Sequence, residues 1–447
     1  MKDLTKGPLF KTLILFAIPI FFGNLFQLFY SLADTRIVGT YLGEEALAAV
    51  GGTSVLSNLL IGFMNGMTLG FAVPMARFYG GRKLDKLKKA FALSTGMGLM
   101  LCVVLVTVCL LCMDSLMLFM KIEPHLLEEA KSYCMVLICG LFFTFVYNLG
   151  AATLRALGNS VTPLLLLVCS SLLNVGLDIY FVNSLKLGVF GAGLATVIAQ
   201  GASAVLCVGY MLKKYSILRF SVKDMKPDAF LMRELLAAGC SMAFMSSLVQ
   251  FGTLMLQTAI NGLGQNIVVA HTAARKVTEI FMMAFSITGA AMCTFTGQNL
   301  GAAKYDRIRK GLFEALGFLA CWVLLVILLA NTVAENLIHM ITGSDNAEVL
   351  KTGAAYLKFD TIFYMVAACV TLFRNVLQGL GNHITPIVSS FVELVGKVVF
   401  AKLMVPRLGY WGVILAEPVV WILMVIPLVV MLVRSPYLKH AKKLENA

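Results

Sequence analysis

The chain has 447 residues, of which 59% are hydrophobic and only 13% are charged, and its formal net charge is +13. A soluble protein of this length carries about 25% charged residues, so the composition excludes a soluble protein. No ten-residue segment alternates polar and apolar residues, which argues against an outer-membrane barrel. We therefore predict an all-α integral membrane protein.

Apolar runs of about 20 residues, the length that a spanning helix needs, recur along the chain and fit twelve spans. Lys and Arg cluster in every second connection, which is the excess that cytoplasmic loops carry. The positive charge is thus explained by membrane topology and not by nucleic-acid binding, and both termini are expected in the cytoplasm. The predicted spans are 9–37, 46–73, 90–112, 130–153, 162–183, 190–212, 234–262, 267–296, 311–333, 352–376, 384–405 and 409–433.

The two halves of the chain repeat each other. LRALGNSVTP recurs as LQGLGNHITP at an offset of 223 residues, while LGVFGAGLAT and GGRKLDKLKK both recur at an offset of 221. Each half has six spans, so we expect two six-helix lobes related by a pseudo-twofold axis along the membrane normal, which is typical of secondary transporters. The predicted parts are an N-lobe (1–212), a cytoplasmic linker (213–233), a C-lobe (234–433) and a cytoplasmic tail (434–447).

Two acids lie in stretches that otherwise read as lipid-embedded helix. Asp34 lies near the outer end of the first span, one turn beyond Tyr30, and Asp178 lies in the fifth span, four residues after Asn174. A charged side chain at membrane depth costs between about 2.5 and more than 10 kcal/mol, so each acid is a functional-site hypothesis. The alternative is an acid that caps a helix or reaches to the membrane surface. Pro19 removes a backbone hydrogen bond and favours a bend in the first span.

Thr196 in the sixth span completes a set of five polar side chains. At a rise of about 1.5 Å per residue, it falls in the same outer-half slab of the N-lobe as the two acids, Tyr30 and Asn174. The oxygen atoms suit a hard cation such as Na⁺, and two carboxylates at close range equally suit a proton. The sequence predicts an ion-coupling site and leaves the ion open. The ligands, if the ion is Na⁺, are Asp34, Asn174, Asp178 and Thr196.

The C-lobe does not reproduce this set. By the repeat offsets, the counterparts of Asn174, Asp178 and Thr196 are Lys397, Ala401 and Glu417. The ionisable residues of the C-lobe are expected to be dispersed, apart from a structural pair between Glu393 and Lys397, which are four residues apart. We therefore expect ion coupling to reside in the N-lobe. The residues expected to be dispersed are Glu279, Asp360, Glu393, Lys397 and Glu417.

Three further residues are weaker candidates for polar positions in a cavity. Gln250 and Gln257 are the nearest polar residues of the seventh span, which contains no acid. Glu279 is the third, although it follows Arg275 and Lys276, whose charges would neutralise it.

The sequence contains no motif for nucleotide binding or catalysis. No P-loop, HExxH or GxSxG pattern occurs, so we expect neither an enzyme nor an ATP-driven pump, and uphill transport must use an ion gradient. The five His residues show no ligand spacing and the eleven Cys residues lie scattered in apolar runs, so no cofactor is expected. A membrane-embedded enzyme, the alternative from another class, would need a catalytic cluster near the interface.

Over essentially its whole length the chain resembles the multidrug and toxic compound extrusion (MATE) family. The segments that carry the resemblance are FAIPIFFGNLFQLFYSLADTRIVGTYLG, the pair LRALGN and LQGLGN with their following TP, and TFTGQNLGAAKYDRIRKG. QTAINGLG and GQNLGA look most like the branch named for the DNA-damage-inducible protein.

The resemblance implies a monomeric antiporter of the inner membrane that exports organic, often cationic and aromatic compounds in exchange for H⁺ or Na⁺. It also implies ion-site roles for Asp34, Tyr30, Asn174, Asp178 and Thr196, and a bend at Pro19. Another branch of the family uses an acid on the seventh helix, which this sequence lacks. A lipid-linked saccharide flippase of the same superfamily is the alternative. It would be expected to carry more basic residues in its cavity than the candidates here, Lys397 and Lys402.

Overall fold

The computed structural model describes residues 3–120, 122 and 124–439, and within those ranges it is almost entirely helical and contains no strand. Lipid requires this, because a helix satisfies its backbone hydrogen-bonding groups internally. The spanning helices are α1 (Leu9–Gly43), α2 (Ala49–Gly80), α3 (Leu84–Leu111), α4 (Pro124–Cys139 and Leu141–Ala156), α5 (Val161–Ser184), α6 (Gly188–Lys214), α7 (Ala229–Asn261), α8 (Gln265–Gly301), α9 (Tyr305–Thr342), α10 (Ala347–Ile362 and Tyr364–Gly379), α11 (Ile384–Leu408) and α12 (Tyr410–Arg434).

The predicted twelve-helix architecture is confirmed for the described part of the chain. Ten of the spans are single helices by length and composition, of which α9 is kinked at Val333, whereas α4 is bent by 42° and α10 by 57° between two helices. The two bends lie 223 residues apart, at Gly140 and Phe363, so the bend belongs to the repeat. At Gly140 the reason is local packing: a Cβ atom there would lie 2.4 Å from Val197 of α6, closer than real carbon atoms approach.

Several helices continue beyond the predicted spans. The predicted ninth span ends at residue 333, where α9 has a kink (Val333 at φ −127° and ψ 17°); a further helical segment continues to Thr342 and is followed by Gly343 at φ +62°. Similarly, α1 runs to Gly43 at φ +86°. The apolar pattern shows only which part of a helix faces lipid or core. The last helical residues are instead followed by a glycine with positive φ, a backbone conformation that other residues avoid.

The chain divides into two compact units. The N-terminal unit comprises Ile18–Ala243 together with Asp3, and the C-terminal unit comprises Leu4–Ala17 and the chain from Phe244 onward. The divisions therefore fall inside α7 and inside α1, next to Pro19. The backbone of α1 stays helical through Pro19, so the bend remains a prediction, as do the sequence-based lobe boundaries. Residues 440–447 of the predicted tail lie outside the described residues.

The core of the N-terminal unit is built around α2. Its buried residues Met64, Phe71 and Met75 pack with Phe145 of α4 in one apolar cluster. Close contact between α2 and α7 depends on Gly70, where a Cβ atom would lie 2.3 Å from the carbonyl oxygen of Ala238. Such backbone-to-backbone packing through small residues is common in membrane helices, and it gives the polar residues of this unit a rigid framework.

Candidate functional site

The five polar residues predicted from the N-terminal half come together in the N-terminal unit. Tyr30 and Asp34 lie on α1, Asn174 and Asp178 on α5, and Thr196 on α6. Asn174 and Asp178 are fully buried, with 1% and 0% of their surface exposed, while the other three are half-buried. The structure thus forms one cluster from three helices, whereas a role in ion binding stays a prediction.

Hydrogen bonds connect the cluster. In the amide orientation that satisfies both ends of its side chain, Asn174 donates from Nδ2 to Asp178 Oδ2 at 2.8 Å and accepts from the backbone N–H of Thr196 at 3.1 Å. The carboxyl groups of Asp34 and Asp178 lie within hydrogen-bonding distance of each other. The side chain of Tyr30 also lies close to that of Thr196. Helix α1 therefore contacts both α5 and α6 through polar groups.

The two carboxyl groups lack a compensating positive charge. Within the described residues, neither Asp34 nor Asp178 forms an ion pair with Lys or Arg. One oxygen atom of each, Oδ1, is buried and has no hydrogen-bond partner in the described part of the chain. Buried ionised groups are costly unless they are paired, so this pair requires a cation or a shared proton.

The backbone changes its helical form at Asp178. Residues Val161–Asp178 are α-helical, and the next six, Ile179–Ser184, form a π-helical segment. A second π-helical segment, Phe400–Met404, lies at the equivalent place in α11. Such wide turns often occur at functional sites in helices, and here the wide turn begins directly after Asp178.

Tyr133 of α4 belongs to the cluster, and the sequence analysis missed it. This buried tyrosine lies near Tyr30, Asp34 and Asp178. It packs on Gly193 of α6, where a Cβ atom would approach its ring to 3.3 Å. The internal repeat could have identified Tyr133 as a candidate, because a tyrosine, Tyr356, also stands 223 residues later.

The expectation of dispersed ionisable residues in the C-terminal half is wrong. Lys397 of α11 lies 3.0 Å from Glu393, as the sequence spacing predicted, and also 3.2 Å from Glu417 of α12. Two arginines extend the network, since Arg374 lies 3.2 Å from Glu393 and Arg275 lies 3.6 Å from Glu417. Neighbouring helices bring these residues together across sequence separations that the pattern of a single span does not reveal.

Asp360 of α10 joins this network from another side. It is 0% exposed, and neither carboxylate oxygen has a hydrogen-bond partner of standard geometry among the described residues. It interacts electrostatically with Arg275, Lys397 and Glu417. The nearby hydroxyl of Tyr364 donates to Thr278 Oγ1 at 3.2 Å. Of the five residues that were expected to be dispersed, four belong to this network and Glu279 lies outside it.

The three weaker cavity candidates show no part in either cluster. Glu279 is exposed and pairs with Lys276 at 3.2 Å, while Arg275 pairs with Glu417 instead. Gln257 donates to Asn261 on its own helix at 2.8 Å, and Gln250 is exposed. The residue of α7 that does contact the network is Thr253, whose oxygen accepts from Lys397 at 3.3 Å.

Of the two clusters, as far as the described residues show, the N-terminal one is the one whose carboxyl oxygens form no ion pair. No group of three or more His, Cys, Asp or Glu side chains in the described ranges could hold a metal ion. A carboxylate pair with an amide and a hydroxyl fits an alkali cation when the Asn174 amide presents its oxygen. The same pair also fits a shared proton, so the geometry accommodates either ion.

A family model described as MatE matches residues 19–180 and again 241–403, so the two matches follow the internal repeat. Among curated proteins, "Probable multidrug resistance protein YpnP" of Bacillus subtilis (strain 168) is 23% identical over 92% of each chain. "Multidrug export protein MepA" of Staphylococcus aureus (strain MSSA476) is 21% identical over 84% of this chain and 83% of its own length.

Solved structures share the fold of the whole chain. An "outward-facing conformation of a multidrug resistance MATE family transporter of the MOP superfamily" superposes with a TM-score of 0.88 at 23% identity, covering 99% of this chain and 98% of that one. A "crystal structure of MATE in the bent conformation" gives a TM-score of 0.89 at 23% identity, with coverages of 99% and 98%. These likenesses show the twelve-helix, two-lobe fold.

Proposed function

Because the chain belongs to the multidrug and toxic compound extrusion (MATE) family, we propose that it is a multidrug efflux antiporter that exports organic, often cationic and aromatic compounds in exchange for H⁺ or Na⁺. The matched regions cover most of the chain. The curated relatives YpnP and MepA carry names that refer to multidrug resistance and export. Transport by this family needs no enzymatic step.

The observation that carries the proposal is the carboxyl pair of Asp34 and Asp178. Both groups are in contact, both have a buried oxygen without a hydrogen-bond partner in the described residues, and neither has a basic partner there. An ion that binds here removes a costly repulsion between like charges. A proton or Na⁺ could serve as that ion, because the carboxyl, amide and hydroxyl oxygens suit both.

Ion binding would act on the cycle through α1. This helix contributes Tyr30 and Asp34, and its polar contacts to α5 and α6 depend on the charge state of the carboxyl pair. Pro19 leaves one carbonyl of α1 without its helical hydrogen bond, which lowers the cost of bending there. Protonation from the outside would rearrange α1 and thereby expel the bound substrate.

The proposed setting is the inner membrane, with a monomer crossing it twelve times. Lys and Arg concentrate in the connections α2–α3, α6–α7 and α8–α9, which would place those connections and both termini in the cytoplasm. The flippase alternative has less support, because Lys397 is already paired with two glutamates and Lys402 is exposed.

Dye uptake by everted membrane vesicles tests the proposal, with imposed proton and Na⁺ gradients applied separately. Wild-type protein is expected to accumulate an aromatic cation under one gradient, and Asp34→Asn is expected to reduce uptake to the level of vesicles without the protein. Asp345→Asn is the matched control, because that side chain is 97% exposed. Normal uptake by Asp34→Asn would refute the role of the carboxyl pair. If neither gradient drives uptake, the antiporter proposal itself fails.

A further inference from the structure

We propose that Lys397 is a built-in cation that occupies, in the C-terminal unit, the position equivalent to the ion site of the N-terminal unit. The C-terminal unit then needs no external cation. A latent cation site is expected to appear when the lysine ammonium is removed. One part of this inference rests on the proposed function, namely that the N-terminal cluster is the ion site.

The repeat places the two clusters at equivalent positions. Lys397 is the counterpart of Asn174 at an offset of 223, and Glu417 is the counterpart of Thr196 at an offset of 221. Tyr356, the counterpart of Tyr133, is fully buried and interacts with Arg275 and Glu417. The same three positions of the repeat therefore line both clusters.

The charges of the two clusters differ in a way that decides what each can bind. The N-terminal cluster has two carboxyl groups and no basic partner among the described residues. The C-terminal cluster balances its charges with its own side chains. Its three carboxyl groups are Asp360, Glu393 and Glu417, and its three basic groups are Arg275, Arg374 and Lys397. A buried cluster whose glutamates already have basic partners gains little from an additional cation.

The surroundings of Lys397 are those of a coordinated cation. An ammonium group has three N–H donors, and three oxygens lie around it: Glu393 at 3.0 Å, Glu417 at 3.2 Å and Thr253 at 3.3 Å. The hydroxyl proton of Thr253 is directed to its own helix, to the carbonyl of Val249 at 3.1 Å, so its oxygen is free to accept. Only 2% of the Lys397 surface is exposed.

Asp360 gives an independent reason to expect cation binding once the lysine is removed. Its carboxylate is fully buried and has no hydrogen-bond partner of standard geometry in the described residues. Without Lys397, three carboxyl groups face only Arg275 and Arg374. Other ionisable side chains of this region, His271, Tyr364 and Tyr410, carry no negative charge near neutral pH. Glu393 and Glu417 have then each lost a ligand, and Asp360 has lost a nearby positive charge.

Thermal unfolding of the purified, full-length protein tests the proposal without transport. All variants carry Asp34→Asn and Asp178→Asn, which remove the carboxylates of the N-terminal cluster so that it cannot contribute to Na⁺ binding. Tm is measured in NaCl and in choline chloride of equal concentration. With Lys397 intact, Tm is expected to be equal in both salts. With Lys397→Ala, NaCl is expected to raise Tm in a saturable way, since a ligand that binds only the folded state stabilises it. Adding Glu417→Gln is expected to reduce that rise.

Two controls make each outcome decisive. Lys402→Ala removes an exposed lysine of the same helix and is expected to leave Tm equal in both salts. If Lys397→Ala does not stay folded in choline chloride, NaCl is expected to rescue it; loss in both salts contradicts the proposal. A Na⁺-dependent Tm with Lys397 intact, or none after its removal, also overturns it. None of these outcomes depends on whether the protein exports drugs.

Discussion

Replacing Asp178 with asparagine is expected to abolish coupling and yet to stabilise the protein at high pH. Two unit charges about 4 Å apart repel by about 4 kcal/mol at an effective dielectric constant of 20. The substitution removes this repulsion from Asp34 but weakens the charge-assisted bond from Asn174, which is worth about 1.5–3 kcal/mol. The net gain is about 1–2.5 kcal/mol when both acids would be ionised. For a unit of this size, that raises Tm by about 2–10 °C.

The sign of the effect changes with pH. At low pH the two carboxyl groups share a proton, no repulsion remains, and Asp178→Asn only loses a hydrogen-bond partner, so Tm is expected to stay equal or to fall. The assay is fluorescence-monitored unfolding of wild type and variant between about pH 5 and about pH 9, with Asp345→Asn as the exposed control. A stabilisation of equal size at every pH would refute the reasoning, because it would show that the two carboxyl groups do not interact electrostatically.

Three further predictions concern other parts of the N-terminal unit. Tyr133→Phe keeps the ring but removes the hydroxyl beside the acids; Tm is expected to change little while the pH dependence of dye uptake shifts, and an unchanged profile would exclude Tyr133 from the site. Gly70→Ala places a Cβ atom 2.3 Å from a backbone oxygen of α7 and is expected to cost about 1–3 kcal/mol in unfolding experiments, whereas Gly62→Ala, with no atom within 4 Å, is the neutral control. In the linker, the backbone N–H of Ser221 and then Lys88 lower the pKa of Asp224. The stability that this residue adds is present above the ordinary carboxyl pKa and is lost as pH falls through the lowered one, so wild-type Tm is expected to fall more steeply than that of Asp224→Asn below about pH 4.

Hydropathy and the repeat were sufficient to predict the architecture. Each apolar run became a spanning helix, because an unpaired backbone group in lipid is costly whatever the side chains are. The bends in α4 and α10 were not predicted. At Gly140 the bend depends on the approach of Val197 from another helix, and no periodicity within one span records such an approach.

The N-terminal cluster was predictable because an acid at membrane depth is conspicuous in a sequence. Asp34 and Asp178 needed no knowledge of packing to be selected, and helix geometry supplied their neighbours. Tyr133 was missed for the opposite reason, since a tyrosine in an apolar span is ordinary. The position of Glu417 beside Lys397 was also missed, because the helix spacing reveals Glu393 as a partner but cannot show which residue of α12 packs opposite.

The two clusters together explain how one repeat can support two chemistries. The positions of Asn174 and Lys397 are equivalent, and each is followed by a π-helical segment, so the backbone that presents them is the same. An amide at this position leaves neighbouring acids in need of a cation, whereas a lysine supplies the cation permanently. A single side chain can therefore decide which unit responds to an ion gradient.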